Sequence, residues 1–411
     1  MTKDIHSEAI TTTDHIAWVN IIMLATLAAF GPFCTDLYLP ALPAITRELN
    51  TDAAAIQLTL TTSFLGLALG QLFIGPLSDA YGRKRPLYLS LIVFALSSIA
   101  CALAPNITFL IIARFFQGLA RAGGIVLSRA IACDLYQGAR LTQFISLLMT
   151  INSLAPILGP ICGSLIATHF DWPALFLFLA LWGSLLLLAS FKAIDETLPP
   201  DKRSPQIKEA IFDLGRELKN PPFMCLALAL SLISGAFFGY LAASPFIFQE
   251  IFGLTPFEYS LVFGLNAVCV TVGANVAAWL ARRIPERKIA SAAILIMLLA
   301  PLGLLTEIIF ALHCFYLVAV SLALFIVMNG AAQSTGFTEV MAVRQGGAGA
   351  ATGLFGVLTF LFGALTAPLV GLMGETSMAP LMQVMLVCSV GAFILFKLGL
   401  IRSAQTAARM G

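Results

Sequence analysis

Twelve apolar stretches, each long enough to cross a bilayer as a helix, recur along this chain and leave little else to fold. They fall at 17–40, 55–77, 86–104, 107–132, 142–168 and 173–192, then at 222–248, 257–281, 288–311, 314–338, 348–371 and 380–402. A helix needs roughly 20 residues to span hydrocarbon, and a chain that crosses must satisfy its own backbone polar groups, as helices do. Composition agrees: 59% of the 411 residues are hydrophobic and 11% charged, where soluble domains carry about 25% charged residues. The expected fold class is all-α and integral to the membrane, with 12 transmembrane helices in two six-helix bundles. The bundles occupy 1–192 and 222–411, and the polar, proline-containing stretch at 193–221 joins them as a cytoplasmic linker.

Cytoplasmic loops collect lysine and arginine, so their placement sets orientation. With the N-terminus inside, 18 fall in cytoplasmic segments, Arg47 alone lies opposite, and Arg114, Arg121, Arg129 and Lys397 fall within spans. Both termini are therefore expected in the cytoplasm. Residues 1–15 lack the basic region and cleavage site of a secretory signal, so the first apolar run is expected to stay as an anchor. The halves repeat: Arg83-Lys84-Arg85 answers Arg282-Arg283 and Arg287-Lys288, Pro40 answers Pro245, and Ala155-Pro156 answers Ala367-Pro368. A duplicated bundle suits a transporter that rocks between two faces.

Three motifs carry more. Between the second and third spans runs Gly75-Pro76-Leu77-Ser78-Asp79-Ala80-Tyr81-Gly82-Arg83-Lys84-Arg85, in which Gly75 and Gly82 permit a tight turn and Asp79 can pair with an arginine. Arg114-Phe115-Phe116-Gln117-Gly118 lies in the fourth span. Ala155-Pro156-Ile157-Leu158-Gly159-Pro160-Ile161-Cys162-Gly163 lies in the fifth, where small residues and prolines allow close, bent helices. In these positions they resemble the signatures of the major facilitator superfamily, the last resembling its antiporter motif although Ala155 and Ser164 stand where glycine is favoured. Thr35-Asp36-Leu37-Tyr38-Leu39-Pro40, Ser244-Pro245-Phe246 and Asp134-Leu135-Tyr136 narrow the resemblance to the Bcr/CflA group of drug:proton antiporters, and it covers nearly the whole chain. The chain departs from that group at Cys133 and Arg121. The resemblance implies the major facilitator fold, a gating role for Gly75, Asp79, Gly82, Arg83 and Lys84, and efflux of compounds such as bicyclomycin and amphenicols.

Ionisable groups within spans are costly and mark function by default. Asp36 and Arg114 enter from opposite sides yet lie at similar depth, so a carboxylate and a guanidinium can line one cavity; Asp36 is expected to take the proton and Arg114 to stabilise its charged form. Arg121 follows Arg114 by two helical turns on nearly the same face. It favours an anionic or carbonyl-rich substrate, or else partners Asp36 or another structural acid. Tyr38, Phe237, Phe238 and Tyr240 are candidates for a substrate wall, with packing as the alternative for the aromatics. Arg129 and Asp134 are expected to pair at the cytoplasmic end of the fourth span, while Glu307 and Glu339 are expected to be solvated helix ends.

The charge balance excludes a nucleic-acid binder, and no phosphate-cradling loop supports an ATP-driven pump. The eight cysteines lack metal or redox spacing and read as packing residues, and the four histidines show no metal-ligand spacing. No cofactor or metal is called for. The expected partners are a small-molecule substrate, protons and lipid, with one chain functional as a monomer, in a bacterial inner membrane. The expected function is proton-coupled efflux by alternating access. Alternatives are export of an endogenous anionic metabolite such as a siderophore, proton symport, or a membrane receptor without transport.

Overall fold

A computed structural model describes residues 13–136, 138–199, 203, 214–371 and 377–410. Twelve of the helices among these residues are long and apolar enough to cross a membrane, and no strand occurs among them. The first span is Thr13–Asp36, followed by a tight turn at Leu39–Ala41 and a short helix Leu42–Glu48. The second to sixth spans are Ala53–Tyr81, Lys84–Ala102, Ile107–Leu135, Gly138–His169 and Pro173–Ala193. The seventh and eighth are Pro221–Phe246 and Pro256–Leu280; the ninth is built from Glu286–Met297 and Leu299–Phe310. Phe315–Ala342, Ala348–Leu369 and Ala379–Met410 complete the set. The first twelve residues, and the linker at 200–202 and 204–213, lie outside the described residues.

Helices start where short polar side chains can satisfy the free amides of the first turn. Asp52 accepts from the Ala55 amide at 2.7 Å and Asn106 from that of Phe109 at 2.9 Å. Thr255 and Glu258 satisfy each other's backbone donors, with Pro256 at the first helical position, where it needs no partner. The break in the ninth span has its cause at Pro301, which removes one helical donor and crowds the preceding turn. The first span stops at Asp36 rather than running to Pro40, and the seventh gives way after Pro245 to a wide turn at Ile247–Ile251. Both spans thus lose regular helix next to the prolines that the sequence repeat aligns.

Within the first half, the second span packs on the fourth, the first on the fifth and the third on the sixth; within the second half, the eighth packs on the tenth and the seventh on the eleventh and twelfth. Between halves, the second span meets the eleventh and the fifth meets the eighth. One crossing in each half, at corresponding positions, brings main chain against main chain. A methyl on Gly118 would collide with the Ser63 carbonyl and one on Gly66 with the Phe115 carbonyl; in the second half, Gly273 faces the Val327 carbonyl and Gly330 that of Val270. Helix packing in hydrocarbon relies on such backbone proximity, and the device recurs at the corresponding crossing of each half.

At the end where the first span finishes, four contacts join the halves. Arg47 Nη1 meets Glu250 Oε1 at 2.6 Å, Gln249 donates to the Pro40 carbonyl at 3.1 Å, Gln57 to that of Ala242 at 3.2 Å, and Ser260 to that of Pro160 at 2.8 Å. Arg47, the one basic residue that sequence placed on that side, is thereby engaged across the two halves.

One chemical change should have opposite effects at two glycines. Gly118→Ala is expected to destabilise by about 1–3 kcal/mol through overpacking. Gly353→Ala, where nothing lies within 4 Å of the added carbon, should be neutral or stabilise by up to about 1 kcal/mol through helix propensity. Thermal melting of the detergent-purified variants measures both.

Candidate functional site

Asp36 closes the first span with only 4% of its surface exposed. It is held there by the fifth span, whose glycines leave room for nothing larger. A Cβ on Gly159 would sit 2.9 Å from Asp36 Cβ, and one on Gly163 would run into the Leu37 carbonyl. The next residue, Pro160, offers the carbonyl that Ser260 binds from the other half. Of the remaining positions in that motif, Ala155 is buried and Pro156 borders a cavity between the halves. The glycine–proline run therefore brings the carboxylate-bearing turn and the interface between halves to one place.

Both mid-membrane arginines of the fourth span are sealed inside the first half, at 0% and 1% exposure. Arg114 donates to Gln117 Oε1 at 2.5 Å, Gln117 in turn donates to Ser98, and the guanidinium lies 4.6 Å from the Tyr38 ring centre. Tyr38 is fully buried, with its hydroxyl 3.1 Å from that of Thr59. Its role here is the aromatic face under Arg114, not a wall toward substrate. Arg121 donates to Thr35 Oγ1 at 2.5 Å and to the Gly31 carbonyl at 3.2 Å, so it grips the turn just before Asp36. Asp36 lies within electrostatic range of the Arg121 guanidinium. No ion pair joins Asp36 to either guanidinium among the described residues. The matched depth of Asp36 and Arg114 thus does not make them a pair; Arg121 is the cation attached to the Asp36 turn. On each arginine, Nε and Nη2 have no hydrogen-bond partner among the described residues.

A partly open cavity of about 280 Å³ lies between the fifth, seventh, eighth and tenth spans. Phe237, Tyr240 and Phe263 provide its rings, and Asn152, Ser153, Asn266 and Thr271 its polar edge. Asn266 donates to the Tyr240 hydroxyl at 2.7 Å. Two sequence candidates belong here, Phe237 and Tyr240. Phe238 instead packs 4.5 Å from Phe64 and 5.7 Å from Phe360, closing the space between the second, seventh and eleventh spans. Arg121 does not border the cavity either. Asn152 and Asn266 were missed, although amides within apolar spans are the signal that finds them.

A second cluster occupies the basic end. Arg83 donates to Asp79 at 2.5 Å and Ser78 at 2.7 Å through Nη1, and to both oxygens of Asp134, at 2.9 Å and 3.4 Å. Glu196, just after the sixth span, accepts from the Arg83 and Lys84 amides at 2.8 Å and 3.3 Å, while Thr197 donates to Asp134 at 2.8 Å. Gly82 makes this possible with φ +88° and with no side chain to strike the Glu196 carboxylate. Gly75, by contrast, lies inside the second span and forms no turn. The Lys84 ammonium lies over the Tyr88 ring. The expected Arg129–Asp134 pair is corrected: Arg129 is exposed, and Arg83 takes the carboxylate from across the bundle. Glu307 is also corrected, being buried at 2% exposure with both oxygens 3.3 Å from the Cys314 amide.

Comparison with known proteins bears on this arrangement. The model of the Major Facilitator Superfamily matches residues 23–368. The chain belongs to the major facilitator superfamily. It is 38% identical to an uncharacterized MFS-type transporter, YdgK, of Bacillus subtilis, over 90% of this chain and 92% of that one. It is 28% identical to a bicyclomycin resistance protein homolog of Haemophilus influenzae, over 91% of this chain and 94% of the relative. The crystal structure of a bacterial homolog of the human lysosomal transporter Spinster, inward-facing and unoccupied, superimposes with a TM-score of 0.76 at 15% identity, covering 94% and 97% of the two chains. The facilitator fold, twelve apolar helices and these relatives make the chain a multi-pass membrane transporter and not an enzyme.

The corrected pairing has a direct test. Arg83→Ala, which leaves Asp134 without its two charged hydrogen bonds, should cost about 1–3 kcal/mol. Arg129→Ala should change stability by no more than about 0.5 kcal/mol. Melting curves of both variants in detergent would show the difference.

Proposed function

We propose that this transporter exports small molecules in exchange for protons, with its two six-helix halves rocking about the interface between them. The observation that carries the reading is the environment of Asp36: buried, pressed against the Gly159–Gly163 face of the fifth span, and next to the turn at Thr35 that Arg121 grips. A carboxyl so placed is neutral at little cost when sealed and ionises at little cost when water reaches it, with Arg121 there to balance the charge. Arg114, fixed under Tyr38 and Gln117, adds a second positive charge to the same field. Movement at the interface is felt at Asp36 because Gly159 and Pro160 touch both.

The concentration of lysine and arginine in one set of loops supports an orientation with both termini in the cytoplasm of a bacterium and the chain in its inner membrane. The cluster of Asp79, Arg83 and Asp134 holds the basic end of the first half together and serves as its gate. The name of the Haemophilus influenzae relative supports drugs of the bicyclomycin kind as substrates. A second reading, export of an anionic metabolite, draws on the Nε and Nη2 atoms of Arg114 and Arg121, which have no hydrogen-bond partner among the described residues.

Inside-out vesicles carrying a proton gradient, with a pH-sensitive dye, test the proposal. Amphenicols, bicyclomycin and carboxylate metabolites are added in turn. Substrate-triggered proton release is expected with wild-type protein and is expected to vanish with Asp36→Asn at equal membrane abundance. Full release in that variant would overturn the assignment of Asp36.

A further inference from the structure

A groove of about 380 Å³ lies wholly within the first half, between its first, fifth and sixth spans. The fifth span meets the first through Gly159 and Gly163, at Asp36 and Leu37. Nearer the middle of the three helices they part, and Thr26, Leu154 and Trp182 lie on the lining of the gap. Ala29 and Ala155 are its buried floor, while Leu158, Leu181 and Leu185 stand exposed along its rim. Trp182 is set edge-on to Phe30 and Phe33, with ring centres 5.2 Å and 4.7 Å away, so its wall is braced by rings and does not fold into the gap.

Nothing charged lines this groove. The Thr26 hydroxyl is spent on the Ile22 carbonyl at 2.7 Å, which leaves the Trp182 N–H as the one polar side-chain group on the lining. Water held in a recess needs several polar partners, which are not offered here. A recess left empty forfeits the dispersion contacts of its walls. The rim belongs to membrane-crossing helices, and at the middle of a span the surrounding medium is lipid tails, with the headgroups too far out to reach.

We propose that the groove holds one tail of a membrane phospholipid, recognised by shape and without regard to its headgroup, and keeps it while the surrounding lipids exchange. The tail braces the fifth span from behind: Ala155 and Leu158 face it, whereas Asn152, Ser153 and Pro156 of the same helix line the cavity between the halves. The site stands apart from proton coupling and from whatever the protein carries.

The test uses a chain whose only tryptophan is Trp182, made with Trp18→Phe, Trp172→Phe and Trp279→Phe. It is placed in mixed micelles of detergent and a phosphatidylcholine brominated at mid-chain, then diluted into micelles of the unbrominated lipid. Bromine quenches the indole, so recovery of fluorescence times the departure of the tail. A control chain, with Trp182→Phe as well, carries its only tryptophan through Leu265→Trp, at an exposed position in the eighth span. Recovery at Trp182 should be at least about tenfold slower than in the control, and equally slow with brominated phosphatidylglycerol. Ala29→Phe and Thr26→Phe each fill the groove from its lining and should bring recovery to the control rate. Either one, monodisperse and cooperatively melting, suffices.

Equal rates at Trp182 and in the control would overturn the inference and leave ordinary boundary lipid. So would a rate that changes with the headgroup, an absence of quenching at Trp182, or slow recovery that persists in both filled variants. If the single-tryptophan chain does not fold, mass spectrometry measures the phospholipid that stays with the wild-type chain through detergent exchange. It should be lost from Ala29→Phe, and equal retention by the two proteins would overturn the proposal.

Discussion

Hydrocarbon offers no hydrogen bonds, so every polar group carried into the membrane must find its partner within the protein. That constraint explains why the polar interior of this transporter is divided into separate places. Charges that must stay paired or sealed sit inside the first half, where Arg121 reaches Thr35 and Arg114 reaches Gln117 and the Tyr38 ring. Uncharged hydrogen-bonding groups edge the cavity between halves. Paired charges at the basic end tie Arg83 to Asp79 and Asp134. The glycine face of the fifth span is the common neighbour of the first of these places and of the interface, which is why it carries so many small residues and prolines.

Much of this was legible in the sequence, for physical reasons that differ from residue to residue. Spans announce themselves because a membrane helix is apolar on every side, which needs no knowledge of neighbours. Asp36, Arg114 and Arg121 stand out because a charge in such a segment is rare. Partners were less legible, because pairing depends on the direction of long side chains across helices. Asp134 is five residues from Arg129 in its own helix, yet Arg83 arrives from another loop and binds it. Arg114 matches Asp36 in depth, but Arg121 grips the turn beside it. Tyr38 and Phe238 are aromatic in or beside an apolar span, a description that fits walls and packing equally; only their contacts with Arg114 and Phe64 decide.

Two devices of the second half were weakly marked in sequence. Glu307 has the composition of a solvated helix end but folds back to cap the Cys314 amide, and a sequence carries no sign of that return. Asn266 is one amide among apolar neighbours, and its importance comes from Tyr240, a helix away. Glu196 and Thr197 just after the sixth span appear as ordinary linker residues until their contacts with the loop at Gly82–Lys84 and with Asp134 are seen.

The two backbone-close crossings, Gly66 with Gly118 and Gly273 with Gly330, give each half a stiff spine. A lever transmits displacement only if its arm does not bend. Were these crossings padded with side chains, thermal sliding between helices would absorb small movements inside a half before they reached the other. With main chain against main chain inside each half, the softer direction is left to the seam between halves, where three of the named contacts are single hydrogen bonds from a side chain to a carbonyl. Stiffness here is thus set by the absence of atoms, and a single added methyl would trade mechanical gain for compliance.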